Sequence, residues 1–195
     1  YGDHRDLHSF PTRRSSDLDH PRGLILTTTS SQEQLVAERT VDAPPEAVFA
    51  LLADPARHQE TEPGEWVLDA LDPTPITGVG QVFGMNMFIE AFGHYVMHNE
   101  VTAFEQDRAI AWVPGQYDEA GRLDTGGWVW RYDLEPEGAG TRVRLTYDWS
   151  NTPQVVRDEI GGMPAFGVVF LEESLASLAA ALTGSGTTGG STATS

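Results

Sequence analysis

The side chains in this sequence best placed to move a proton are His58, Tyr95, Tyr132, Tyr147 and Asp148. A buried tyrosine acts as an acid only where its pKa is lowered, and Asp148 falls on the outward face of its strand, where water solvates it. Glu90, His94 and His98 stand four residues apart. On a helix that spacing gathers a carboxylate and two imidazoles on one face, which suits a metal. On strands it fails: His94 and His98 would lie about 13 Å apart along one strand, and Gly93 puts Glu90 beyond a turn. We therefore expect no metal and no cofactor, and read these residues as the solvent-facing part of a hairpin. The run Gly78-Val79-Gly80-Gln81-Val82-Phe83-Gly84 lacks the spacing of a phosphate-binding glycine loop and leads into a strand, so no helix N-terminus awaits a phosphate. Cysteine is absent, which removes thiolate nucleophiles, disulfides and Cys-ligated metals. No nucleophile elbow, zinc-protease motif, P-loop or EF-hand pattern occurs.

What remains is a surface for binding. Trp128, Trp130, Tyr132 and Leu134 alternate with Val129, Arg131 and Asp133, and Val143, Leu145, Tyr147 and Trp149 alternate with Arg142, Arg144, Thr146 and Asp148. Period two with one apolar face is the mark of half-buried antiparallel sheet. Alternation turns Phe83, Met85 and Met87 inward from one strand and Tyr95, Met97 and Asn99 from the next. They face Trp112, Trp130, Tyr132 and Tyr147, with Phe166 and Phe170 arriving from a helix. Methionine gives an adaptable wall, and buried Tyr and Trp carry O–H and N–H groups that need partners. That mixture suits an amphipathic cavity for a hydrophobic small molecule. Asn99 is the sharpest member, because an amide on an apolar row is costly unless backbone or a ligand bonds it.

The elements that must hold these residues follow from pattern and punctuation. Gln34–Val41 reads as a first strand. Asp42 is expected to cap the short helix that follows, with proline in its first turn and Asp54-Pro55 ending it. A second short turn covers Ala56–Glu60. Six strands then succeed one another at Trp66–Leu71, Val79–Ile89, Tyr95–Phe104, Ile110–Val113, Trp128–Leu134 and Thr141–Trp149, with a long loop over Gly115–Gly127. Pro164–Leu182 reads as the closing helix, its stripe formed by Phe166, Val169, Phe170, Leu175, Leu178 and Leu182. The fold class is α+β: about seven antiparallel strands curved around a long C-terminal helix.

At 195 residues the chain has room for one domain with a sizeable core. We place that domain at 34–183. Residues 1–33 are read as a non-native or disordered lead-in, within which His8–Leu18 resembles a translated sequencing adapter, and 184–195 as a disordered Gly/Ser/Thr tail. The formal charge of −17, carried with twelve arginines and no lysine, repels nucleic acid and anionic lipid headgroups. No apolar run approaches the roughly 18 residues a membrane span needs. A soluble bacterial protein of the cytoplasm is expected, with a homodimer compatible with these features.

The order strand, two short helices, six strands, long helix resembles the helix-grip superfamily, the START-related SRPBCC proteins, in its polyketide cyclase-like branch. The segment Arg39–Pro55, with Arg108–Trp112, Trp130–Pro136 and Gly140–Val143, carries the likeness. It implies a sheet wrapped around the last helix over an interior cavity that takes a polyketide-like or lipid-like guest. The branches of that superfamily imply a cyclase or aromatase enzyme as one alternative and a co-chaperone-like interaction module as another. Where relatives commonly place an aromatic, this chain has Gln59-Glu60-Thr61-Glu62-Pro63, which implies a more acidic cavity mouth.

Overall fold

The computed structural model describes residues 33–90 and 93–184; the expected lead-in and Gly/Ser/Thr tail lie outside them, apart from their inner ends at Glu33 and Gly184. Eight strands form one antiparallel sheet: β1 Gln34–Val41, β2 Val67–Ala70, β3 Val82–Ile89, β4 Gly93–Glu105, β5 Ala109–Tyr117, β6 Leu123–Thr125, β7 Val129–Glu137 and β8 Gly140–Asp148. Their order across the sheet is β1-β8-β7-β5-β4-β3-β2, with β6 paired to β5. Helix α1 spans Pro45–Leu52, a 3₁₀ turn Pro55–Glu60, α2 Gln154–Glu159 and α3 Val168–Gly184. This is the expected α+β helix-grip architecture. Register shifts between Val101 and Ala103 on β4 and between Val67 and Ala70 on β2 insert bulges, which add the local twist that helps a sheet wrap a helix.

Several elements differ from their sequence reading, each for a physical reason. Helix α1 takes Pro44, not Asp42, as its N-cap, without a side-chain bond; proline suits the first turn because the N–H it lacks has no intrahelical partner there. The expected Gly115–Gly127 loop is largely a hairpin of β5 and β6. The Asp118 carboxylate closes its turn by accepting the backbone N–H groups of Ala120 and Arg122 and the Arg122 guanidinium. Gly115 is required there, since a Cβ would stand 2.5 Å from the Asp124 carbonyl oxygen. Helix α2 has no counterpart in the sequence reading, being short and without a buried residue. Arg157 fastens it by donating to the carbonyls of Thr152 and Trp149 and to Glu33.

The closing helix starts at Val168, so Phe166 sits in the approach to it. Its buried face is Leu171, Ser174, Leu175 and Leu178, and Val169, expected in the stripe, is 52% exposed. The three leucines pack with the inner residues Ala37 and Val41 of β1 and Val143 and Leu145 of β8 in one core cluster. A serine in the middle of that face is the polar exception.

Candidate functional site

Strands β3 and β4 build one wall of a cavity. Phe83 pairs with Asn99, Met85 with Met97 and Met87 with Tyr95 as direct cross-strand neighbours, so the inward rows expected from alternation face the same space. Trp112 on β5 and Trp130 and Tyr132 on β7 continue the wall, and Phe166 and Phe170 close it from the approach and first turn of α3. The cavity has a volume of about 80 Å³.

Of the residues expected to line this space, Tyr147 does not. It lies behind Trp130, ring stacked on ring with centroids 4.3 Å apart, and its hydroxyl meets the Met163 sulfur at 3.1 Å. Alternation points it inward, but the bulk of Trp130 stands between it and the cavity. Asn99 is buried and lines the cavity, and its Nδ2 reaches the Met97 carbonyl only at 3.5 Å. Backbone therefore satisfies this amide weakly and leaves it facing the interior. Asp148 accepts the Ser150 backbone N–H at 2.8 Å and shapes the turn after β8.

His94 and His98 lie on the outer face, against Phe88 and Tyr117 respectively, away from the cavity. No group of three potential metal-ligating side chains occurs among the described residues.

The segment after the 3₁₀ turn contributes residues that strand periodicity does not reveal. Thr61, Glu62 and Trp66 line the cavity, with Val67, Pro114 and Trp128. The resemblance implies a more acidic cavity mouth at Gln59–Pro63; in the structure the Glu62 carboxyl group is enclosed. Ser174 Oγ donates to Oε2 at 2.7 Å, and the Tyr132 hydroxyl donates to Oε1 at 3.4 Å. Loss of water pushes the carboxyl up to about 7, against the pull of those two bonds. The Ser174 hydroxyl also lies 3.1 Å from the Phe170 carbonyl oxygen. With one proton to give, it donates to Glu62 when that group is ionised, and is free to donate to Phe170 when Glu62 is protonated. Glu60, two residues earlier, does face solvent and pairs with Arg57.

His58 and the buried tyrosines keep one protonation state near neutral pH. His58 is buried, stacked on Trp112 at 5.3 Å, with Nε2 2.8 Å from the Leu52 carbonyl oxygen. A carbonyl accepts only, so Nε2 carries the proton, and burial holds the ring's pKa low, leaving it neutral. Burial drives the Tyr95 phenol up to about 12 and those of Tyr132 and Tyr147 up as well, so these tyrosines donate hydrogen bonds rather than protons. The indole N–H of Trp66 is buried with no hydrogen-bond partner among the described residues, which costs about 1–3 kcal/mol.

Several solved structures share this architecture. Protein Ms6760 from Mycobacterium smegmatis aligns with a TM-score of 0.62 at 15% identity, over 83% of this chain and 99% of that one. A protein from Arthrobacter aurescens gives 0.61 at 17% identity, over 81% and 91%. Protein CV1439 from Chromobacterium violaceum gives 0.57 at 21%, over 76% and 96%. At these identities the likeness speaks to the fold. Comparison with curated proteins gives no match. The model of one family, described as polyketide cyclase / dehydrase and lipid transport, matches residues 32–183. The chain belongs to that family, a polyketide cyclase-like member of the SRPBCC helix-grip proteins.

Proposed function

We propose that this protein binds a small or medium hydrophobic molecule, polyketide-like or lipid-like, in the cavity between the curved sheet and α3. The observation that carries the reading is the unfilled space itself, walled by methionine and aromatic side chains and pointed by a few buried polar groups. Interiors normally close-pack, so a cavity lined this way is completed by a guest. Residues 34–183 are the unit that does this, in the bacterial cytoplasm, and a homodimer is compatible with it.

Met97→Trp tests the reading, because the indole would occupy the middle of the β3–β4 wall. Native mass spectrometry of freshly purified protein is expected to show a co-purifying apolar molecule that the variant has lost. Naphthalene-type fluorescent probes should bind the variant at least about tenfold more weakly. A wild-type protein that carries no guest and takes up no probe would end the proposal.

A second reading, a cyclase or aromatase, is favoured by one observation. Inward polar groups converge, with the Glu62 carboxyl between Tyr132 and Ser174, and a carboxyl of pKa about 7 can take or give a proton at working pH. The interaction-module alternative needs a filled interior. The cavity stands against it, although the outer face of β3 and β5 and the loop after β2 do expose Phe88, Tyr117 and Leu71.

A further inference from the structure

Glu62 is the only acidic residue among the described residues lining the cavity, and no arginine lines it; the sequence has no lysine. A carboxylate offers about four lone-pair positions, and the bonds from Ser174 and Tyr132 take up two. The rest of the cavity lining is mostly aromatic and methionine side chains. A buried carboxylate is ordinarily paired with a cation, because leaving it bare in a low-dielectric space is costly. Here no cation of the protein pairs with it among the described ion pairs.

The walls around it are the kind that accept a positive charge. Trp66, Tyr95, Trp112 and Trp130 all line the same space, and the ring faces of Trp and Tyr attract a cation through their quadrupole. The net charge of −17 raises the concentration of cations near the protein and lowers that of anions. Hydrophobicity alone explains none of these features.

We propose that the guest of this cavity is an apolar amine whose protonated nitrogen sits against Glu62 while its hydrocarbon body lies among Met85, Met97 and Trp130. The inference rests on the cavity-binding reading above and adds the charge of the guest. The groups that face Glu62 are the Ser174 hydroxyl and Phe170 carbonyl of α3 and the Tyr132 hydroxyl of β7. The remaining titratable residues of the lining, His58 after α1 and Tyr95 on β4, are neutral. The charge that the amine meets is therefore that of Glu62. Pairing favours the ionised carboxyl, so binding and ionisation strengthen each other, and acid weakens both.

The test uses three probes of one shape, naphthylmethylamine, naphthylmethanol and methylnaphthalene, titrated into the full chain at moderate salt and followed by tryptophan fluorescence. At about pH 8 the amine is expected to bind about tenfold or more tighter than either neutral probe, and to lose roughly tenfold on going to about pH 6 as Glu62 takes up its proton. In Glu62→Gln the preference of the amine over methylnaphthalene should vanish. If that variant does not fold, carboxyl-carbon NMR of the wild type decides: saturating amine should draw the Glu62 titration down by at least about one pH unit. Equal binding of amine and hydrocarbon by the wild type overturns the inference and leaves the cavity reading standing. An amine preference that survives in Glu62→Gln also overturns it. If none of the three probes binds, both readings fall.

Discussion

Between about pH 4.5 and pH 7, wild-type protein is expected to lose about 3 kcal/mol of stability relative to Glu62→Gln. Burial raises the Glu62 carboxyl from 4.5 to about 7 in the folded protein, and every tenfold change in its proton affinity is worth about 1.4 kcal/mol. The folded state holds this proton more tightly than the unfolded state does. Below the unfolded value both states are protonated and the group costs nothing. As pH rises through the window the unfolded chain releases the proton first, so stability falls, and above the folded value the full cost of an enclosed carboxylate is present. Glutamine keeps the shape, accepts from one of the two hydroxyls with its single amide oxygen and donates its NH2 toward the other, and it does not titrate. Every other carboxylate is common to both proteins, so the difference between their urea-derived stabilities isolates Glu62. Parallel stability curves from about pH 4.5 to pH 8 would show that this carboxyl is solvated in the folded protein.

Leu175→Ala is expected to cost about 2–5 kcal/mol, measured as a drop in the urea midpoint. Leu175 is fully buried on α3, in one cluster with Leu171, Leu178, Val143 and Leu145. Removing it forfeits the transfer of its side chain from water and leaves a hole under the helix that forms one side of the cavity. The space cannot collapse without moving Phe170 and Ser174, which belong to the lining and to the Glu62 bond. Val169→Ala on the same helix should change stability by no more than about 0.5 kcal/mol, since Val169 is exposed. If the two substitutions cost the same, the helix does not sit against the sheet as described.

Much of the cavity wall was legible because alternation is a local rule. Once β3 and β4 are strands, period two assigns Phe83, Met85 and Met87 to one face and Tyr95, Met97 and Asn99 to one face, and their direct pairing puts the two rows side by side. The same rule misplaces Tyr147: direction toward the inside does not say whether a larger neighbour stands in between, and Trp130 does. Sequence periodicity draws the apolar stripe of α3 through Phe166 and Val169, whereas the helix starts at Val168 and buries Leu171, Ser174, Leu175 and Leu178. Phe166 leaves the stripe because the helix starts only at Val168, and the packing of α3 on the sheet, not its periodicity alone, selects the face that carries Ser174. Glu62 carries no such signal. It lies in an irregular segment, which has no period from which to infer a direction.

By itself the amino-acid sequence determined seven of the eight strands, which of their faces turn inward and the aromatic and thioether character of the inner surface, since each depends on residues within a few positions of one another. Tertiary structure alone decided that Glu62 meets Ser174, 112 residues away, and Tyr132, 70 residues away. The reason is that a carboxyl's surroundings are set by what packs across from it: only when α3 closes on the sheet does the group lose its water, and with it its ordinary acidity.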